Sequence, residues 1–172
     1  REAGRLLNLI SDIIRLSRMD EDQTPVSHAP VDLHTIAQEC IETLTPSAEK
    51  RGISLQLEGD STVVHGEKNS LWELVYNLTD NAIRYNRVNG TVTVTLKDHS
   101  IAVSDTGIGI PPEHQERIFE RFYRVDKSHS RATGGTGLGL SIVKHVAERH
   151  NAKISLESTV GVGTTITVTF PE

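Results

Sequence analysis

The chain has 172 residues, which fits one domain with a short extension, since domains typically span about 100–200 residues. Its formal net charge is −5, so it lacks the basic field with which proteins bind nucleic acid non-specifically. Its one cysteine, Cys40, excludes an internal disulfide framework and fits a reducing compartment. No apolar run approaches the roughly 20 residues that span a bilayer, and the chain begins in the middle of a helical pattern, as a piece of a longer protein would.

The first residues predict an amphipathic helix over 1–19. Its apolar residues at a heptad spacing are Leu6, Leu9, Ile13 and Leu16. Two heptads leave two interpretations open, a helix packed on its own domain or the end of a dimerisation hairpin whose other helix lies upstream. The polar segment 20–31 contains two prolines and predicts a linker, and Asp32 predicts the N-cap of the next helix.

Helices and strands alternate irregularly along the rest of the chain. Helical patterns cover about 32–50, 67–86 and 138–150, with a short helix from Pro111 to about Phe122. Strand patterns cover 53–58, 62–65, 91–97, 100–104, 153–157 and 164–170. Because strict βαβ alternation is missing, the order predicts an α+β fold, a two-layer α/β sandwich with a mixed, mostly antiparallel sheet, preceded by one helix.

The predicted helix 67–86 carries a line of polar side chains. Asn77, Asn81 and Arg84 are spaced at i, i+4 and i+7, and Tyr85 lies between this line and an apolar stripe. The stripe consists of Leu71, Val75, Leu78 and Ala82. Carboxamide oxygens suit Mg²⁺, which prefers oxygen ligands. The alternative is a polar helix face that hydrogen-bonds its own neighbours.

A second motif, residues 104–110 (SDTGIGI), follows a predicted strand. A carboxylate at a strand end, here Asp105, can accept a hydrogen bond from an exocyclic amine such as that of adenine. The glycines that follow let the backbone approach a flat ligand closely. The alternative is a capped turn in which Asp and Gly have their usual turn roles.

A third motif, residues 133–140 (TGGTGLGL), leads directly into a predicted helix. Backbone N–H groups at a helix N-terminus, with the helix dipole, form an anion site, and glycines leave room for phosphate oxygens. The motif is not a P-loop, because the chain has no G-x-x-x-x-G-K-[ST] pattern, and it is not the dinucleotide fingerprint, because no glycine stands at position 142. A flexible loop with a helix cap is the alternative.

These three motifs, with residues 119–124 (FERFYR) between the second and the third, resemble the GHKL nucleotide-binding family and, within it, the histidine kinases. They match the N, G1, F and G2 boxes in order, and residues 161–165 (GVGTT) match the closing hairpin. The resemblance implies the end of the second dimerisation helix at 1–22, a linker at 23–31 and the catalytic ATP-binding domain at 32–172.

The resemblance also implies a site for ATP and Mg²⁺ and a role for each matching residue. Asn81 would coordinate Mg²⁺, Asn77 and Arg124 would be catalytic beside the phosphates, and Asp105 would accept from the adenine amine. Residues 124–136 would form a lid over the nucleotide, and Thr165 would lie near the base. The other expected nucleotide contacts are Arg84, Tyr85, Gly107, Ile108, Gly109, Tyr123, Gly135, Gly137, Leu138, Gly139 and Leu140.

The implied reaction is transfer of the γ-phosphoryl group of ATP to a histidine, for relay to the receiver domain of a response regulator. None of the eight histidines is followed by Asp or Glu, as the family's acceptor is, so the acceptor is expected upstream of Arg1. The resemblance further implies a homodimeric full-length protein, with this part in the cytoplasm and any membrane anchor upstream.

Three alternatives share the nucleotide motifs. An ATP-hydrolysing machine of the gyrase type needs a Glu where this chain has Asn77, and a carboxamide cannot act as a base. A serine kinase of the anti-sigma type lacks a dimerisation helix before the domain. A nucleotide-sensing module would bind ATP without transferring phosphate.

Overall fold

The computed structural model describes residues 28–120, 123 and 139–171, together with Ile10. The predicted helix over 1–19 therefore lies outside the described residues, apart from Ile10, which is helical. The helices in the described part are α1 Leu33–Lys50, α2 Lys68–Arg84 and α3 Gly139–Arg149, with a 3-10 turn at Pro112–His114. The strands there are β1 Ala29–Asp32, β2 Ser54–Gly59, β3 Val63–Gly66, β4 Thr91–Lys97, β5 Ser100–Asp105, β6 Lys153–Thr159 and β7 Gly163–Thr169.

The main sheet has five strands in the order β2-β4-β5-β7-β6, and β1 and β3 form a separate two-stranded sheet. Strands β2 and β4 are parallel, and the other neighbours in the main sheet are antiparallel. The predicted α+β class and the mixed, mostly antiparallel sheet are therefore confirmed. Helices α1, α2 and α3 all contact this sheet and form the second layer.

Alternation along the strands decides which face of the sheet meets the helices. In β4, Val92, Val94 and Leu96 are buried, and the threonines between them are only partly buried. Strands β5 and β7 repeat this pattern, since successive side chains of a strand point to opposite faces. The predicted apolar stripe of α2 packs into the same core, with all four side chains buried. Burying each Leu or Val side chain stabilises the fold by about 1.5–3 kcal/mol, so this layer contact supplies much of the stability.

The chain enters the domain through a strand where the sequence predicted only a linker. Residues from Ala29 onward form β1, which pairs antiparallel with β3, Pro30 facing His65. Proline fits an edge strand because it has no N–H to donate, but it also hides the strand from a sequence pattern. The predicted N-cap is confirmed, since the Asp32 carboxylate accepts from the backbone N–H of His34 at 3.0 Å.

The predicted short helix after Pro111 is only a 3-10 turn over Pro112–His114, followed by further turns. The side chain of Gln115 donates to the carbonyl oxygens of Ile110 and Ser158, at 2.9 and 3.3 Å. These tertiary bonds hold the segment against β6, so the chain does not continue into a regular helix. The tight turn predicted at Asp98-His99 is confirmed, with both residues at positive φ as the favoured hairpin turns require.

His150 joins the end of α3 to the start of α2. Its Nε2 accepts from the backbone N–H of Glu67 at 3.0 Å, and its Nδ1–H donates to the carbonyl of Val146 at 2.8 Å. The side chain is 2% exposed, and burial lowers the pKa of this imidazole below its usual value. A neutral imidazole with one donor and one acceptor therefore anchors the first turn of α2.

We expect His150→Ala to lower the free energy of unfolding by about 2–4 kcal/mol, because it leaves a cavity and a buried N–H without an acceptor. Since the folded-state pKa of His150 is depressed, its contribution is present above the unfolded pKa and is lost as pH falls through the folded pKa. Urea unfolding at pH 7.5 and pH 5.5 tests this, and the variant should show a smaller loss on acidification. His65→Ala, at an exposed position on β3, is the matched control. Equal stability of the two variants would contradict the anchoring role.

Candidate functional site

Four segments converge at one end of the main sheet. They are the C-terminal half of α2, the loop 106–110 after β5, the turn between β6 and β7, and the first residues of α3. Backbone bonds join the first three, because the N–H of Ile108 donates to the carbonyl of Tyr85 and the N–H of Gly161 donates to the carbonyl of Ile108. The start of α3 lies next to α2 at Asn77. The motifs predicted from the sequence therefore meet in space where the described residues cover them.

Asp105 is the most strongly perturbed acid of this region. Its Oδ1 accepts from the backbone N–H of Gly107 at 2.9 Å and from that of Thr164 at 3.3 Å. Burial of the carboxylate outweighs these two bonds and raises the pKa of Asp105 from 3.8 to about 6. Both bonds use one oxygen, so Oδ2 remains able to accept from a donor on a ligand.

Two positions in the loop after Asp105 admit only glycine. A Cβ on Gly107 would stand 2.4 Å from the carbonyl oxygen of Tyr85. Gly109 has φ +76, and a Cβ there would stand 2.3 Å from the carbonyl oxygen of Thr159. The loop therefore lies tightly between the end of α2 and the end of β6, with Ile108 between the two glycines 41% exposed. An apolar side chain and bare backbone next to a buried carboxylate suit a flat, partly polar ligand.

The polar line of α2 borders the core, as predicted, with its members partly buried. The Nδ2 of Asn77 donates to the carbonyl of Glu73 at 2.8 Å, so its Oδ1 is directed elsewhere. That oxygen is 3.3 Å from the place of a Cβ on Gly139, the first residue of α3. The guanidinium of Arg84 donates to Asp80 at 2.9 Å. Asn77 is thus beside the N-terminus of α3, where helix dipole and N–H groups favour an anion.

A hard cation would also find suitable ligands along α2. Within the described residues, no group of three or more His, Cys, Asp or Glu side chains could hold a metal ion. Carboxamide oxygens are available instead, because the Oδ1 of Asn77 is left over from the bond to Glu73 and no described residue hydrogen-bonds the Asn81 carboxamide. Mg²⁺ commonly takes one or two protein ligands and fills its other positions with phosphate oxygens and water.

Thr165 is not where the sequence interpretation expected it. Its hydroxyl bonds that of Ser104 at 2.8 Å across β5 and β7, on the sheet face opposite Asp105. The adjacent Thr164 is on the Asp105 side, where it is 9% exposed and its hydroxyl bonds that of Ser158 at 2.8 Å. Strand alternation is the reason, since a shift of one residue moves a side chain to the other face. The pairing of β5 with β7 would have identified Thr164 as the residue on the same face as Asp105. The sequence alone does not give that strand register, because it is set by the tertiary structure.

Sequence reasoning also missed the two residues after Tyr85. The Oδ1 of Asn86 accepts from the hydroxyl of Thr106 at 3.3 Å, and its Nδ2 donates to the carbonyl of Thr91 at 3.1 Å. Arg87 donates to the carbonyl oxygens of Gly107 and Gly161. Their only signal in the sequence is a polar pair between a helix and a turn, which is common in loops of no function.

Some predicted residues lie elsewhere or beyond the described part of the chain. The hydroxyl of Tyr123 contacts His114, and its ring lies under Arg117 with the guanidinium carbon 4.7 Å from the ring centroid. Gly139 and Leu140 begin α3, as the third motif required. The predicted residues outside the described part are Arg124, Gly135, Gly137 and Leu138.

Residues 66–172, more than half of the chain, match the family described as histidine kinase-, DNA gyrase B-, and HSP90-like ATPase. The sensor-like histidine kinase SenX3 of Mycolicibacterium smegmatis is 41% identical over 176 residues, which cover 99% of this chain and 46% of that protein. The sensor histidine kinase RppB of Synechocystis is 39% identical over 177 residues, covering 99% of this chain and 39% of that protein. The chain thus spans less than half the length of these curated relatives.

Solved structures are also similar to this chain in fold. The mycobacterial sensor histidine kinase MprB superposes with a TM-score of 0.72 at 27% identity, covering 84% of this chain and 97% of that one. Full-length ShkA in complex with AMPPNP superposes with a TM-score of 0.78 at 26% identity, covering 98% of this chain and 36% of that one. In the part of this chain that the structure describes, no helix has the length and apolar character to cross a membrane.

Replacing Asp105 by Asn should stabilise the protein in the absence of ligand. The folded-state pKa is raised above the unfolded value, so the carboxyl stabilises the fold below pH 3.8 and this contribution is lost as pH rises through about 6. Asn keeps an oxygen for Gly107 and Thr164 without the desolvated charge. We expect a gain of about 1–3 kcal/mol in the free energy of unfolding at pH 7.5, shrinking towards pH 4. Urea unfolding at both pH values measures it, and a loss of stability at pH 7.5 would contradict the assigned desolvation.

Proposed function

Because the chain belongs to the histidine kinase-, DNA gyrase B- and HSP90-like ATPase family, we propose that it is the ATP-binding catalytic domain of a sensor histidine kinase. In the whole protein, this domain transfers the γ-phosphoryl group of ATP to a histidine on a dimerisation helix. The phosphoryl group then passes to the receiver domain of a response regulator. The relatives named sensor histidine kinases support this reading at close to 40% identity along nearly the whole chain.

The observation that carries the proposal is the partly buried, desolvated carboxylate of Asp105. One of its oxygens is taken up by two backbone N–H groups, and the other is left to accept the exocyclic amine of adenine. A guanine ring presents a carbonyl oxygen at the same place, which an ionised carboxylate repels. Gly107 and Gly109 let the loop pack against the carbonyl oxygens of Tyr85 and Thr159, which leaves the exposed side chain of Ile108 to contact the base. Tyr85, whose carbonyl accepts from Ile108, is the other contact that we propose.

The phosphates extend from the base towards the start of α3. Gly139 and Leu140 supply backbone at the helix N-terminus, with Gly135, Gly137 and Leu138 before them. Asn81 would hold Mg²⁺, and Asn77 and Arg84 lie on the same polar line of α2. The metal, when bound, supplies positive charge that neutralises the phosphate oxygens during transfer. Arg124 adds a guanidinium near the γ-phosphate, where charge develops.

The protein's part in catalysis is to position the nucleotide rather than to attack it. Phosphoryl transfer has little covalent chemistry for side chains to perform, so orientation and charge stabilisation dominate. Asn77 stands where a hydrolysing relative needs a base, and its amide nitrogen already donates to the carbonyl of Glu73. A carboxamide so held cannot activate water, which favours transfer to a histidine over hydrolysis.

The first test is calorimetric titration of the chain with Mg-ATP, beside Asp105→Asn. We expect saturable binding by the unmodified chain and a loss of at least about tenfold in the variant, because Asn directs an N–H at the adenine amine. The variant should remain folded, so lost binding cannot be ascribed to unfolding. Asp98→Asn makes the same chemical change in the exposed β4–β5 turn and should bind normally. Binding of ATP by Asp105→Asn as tightly as by the unmodified chain would refute the assigned adenine contact.

A second test concerns Mg²⁺. Asn81→Ala should remove most of the gain in ATP affinity that Mg²⁺ provides, since losing a group that fixes a metal typically costs about 10–100-fold in metal affinity. The readout is the ratio of ATP dissociation constants with Mg²⁺ and with excess chelator. Asn69→Ala, at an exposed position in the first turn of α2, is the control and should keep the ratio of the unmodified chain. An unchanged ratio of dissociation constants in Asn81→Ala would show that a residue other than Asn81 binds the metal.

A further inference from the structure

Arg87 lies where three loops of the site meet, three residues beyond the end of α2. Its Nη2 donates to the carbonyl of Gly107 at 3.0 Å and also to the carbonyl of Gly161. The first carbonyl belongs to the loop after β5, and the second belongs to the turn between β6 and β7. One guanidinium therefore joins two segments that are more than 50 residues apart in the sequence.

The same two segments hold the Asp105 carboxylate from the inside. Gly107 donates to Oδ1 from the loop, and Thr164 donates to it from the first residues of β7. The spacing between these two donors sets the position of the carboxylate. Arg87 ties the segments together from the solvent side, in parallel with the backbone bond of 2.9 Å from Gly161 N to Ile108 O.

The chemistry of arginine suits this bridging position. Both bonds come from Nη2, whose two N–H groups lie in the rigid guanidinium plane, whereas lysine offers a compact charge on a flexible stem. The backbone N–H of Arg87 is itself held by the Oδ1 of Asn86 at 2.9 Å. Within the described residues, both side-chain hydrogen bonds of Arg87 go to carbonyl oxygens rather than to a carboxylate. The residue is exposed and lies outside the hydrophobic core, so its removal should leave the fold intact.

We propose that Arg87 is a positioning residue for nucleotide binding: it fixes the loop of Gly107 against the β6–β7 turn and thereby preforms the adenine pocket around Asp105. The inference rests on the proposed function, since it assigns to Arg87 a part in the same ATP site. A preformed site binds more tightly than a loose one because less ordering entropy is lost on binding. Arg87 acts on the ligand through the loop, not by touching it.

The test compares ATP and ADP binding by Arg87→Ala and Arg87→Lys with the unmodified chain. We expect Arg87→Ala to bind both nucleotides about tenfold more weakly, by the same factor at low and high salt. Its thermal midpoint should stay within about 2 °C, as for other surface substitutions. Arg87→Lys should have affinities between those of Arg87→Ala and the unmodified chain, because it keeps the charge but lacks the planar guanidinium. Amide spectra should show shifts at Gly107, Ile108, Gly161 and Thr164, next to the lost contacts.

Lys97→Ala is the matched control, since it removes an exposed cation at the far end of β4 and should leave both affinities unchanged. A loss confined to ATP, reduced by salt and restored in Arg87→Lys would mean that Arg87 attracts phosphate, which would overturn the positioning role. Unchanged affinity in Arg87→Ala would overturn it as well. Absence of ATP binding by the unmodified chain would instead overturn the proposed function, and this inference with it.

Discussion

The candidate site depends on one partly buried carboxylate that accepts from backbone donors of two separate segments. Asp105 ends a central strand of the sheet, and its Oδ1 joins the loop after that strand to the neighbouring strand β7. Removing this group from water raises its pKa to about 6, so the site retains an anion at an energetic cost. An ionised acceptor in a poorly hydrated place favours an amine on a ligand, which agrees with the proposed contact to adenine.

Helix α2 connects the candidate site to the rest of the domain. Its apolar stripe is buried in the core, and Asn77 of its polar line lies beside the start of α3. His150 fixes its first turn, and the residues after its last turn, Tyr85 to Arg87, hold the loop that follows Asp105. The helix is therefore anchored at both ends, and the carboxamides of Asn77 and Asn81 lie between the anchors. A site built on a rigid element loses little of its precision to loop motion.

Asp105 and His150 have opposite effects on the stability of the ligand-free fold at neutral pH. The partly buried carboxylate destabilises the ligand-free fold at neutral pH, a cost that is common at binding sites. The buried neutral imidazole stabilises the fold by giving the backbone N–H of Glu67 its acceptor. Acidification weakens the stabilisation by His150 and reduces the destabilisation by Asp105. The two groups therefore have opposite effects on the pH dependence of stability.

The amino-acid sequence alone determined the fold class, the apolar stripe of α2 and the candidate residues Asn77, Asn81 and Asp105. Local patterns carry this information, because helix periodicity, strand alternation and turn glycines depend on near neighbours. The tertiary structure decided what depends on pairing between distant segments. The register of β5 with β7 put Thr164 rather than Thr165 beside Asp105, and β1 became a strand through its partner β3. Arg87 contacts two carbonyl oxygens that come together only in the folded protein. Periodicity along a chain cannot reveal such contacts, since they are fixed by packing across it.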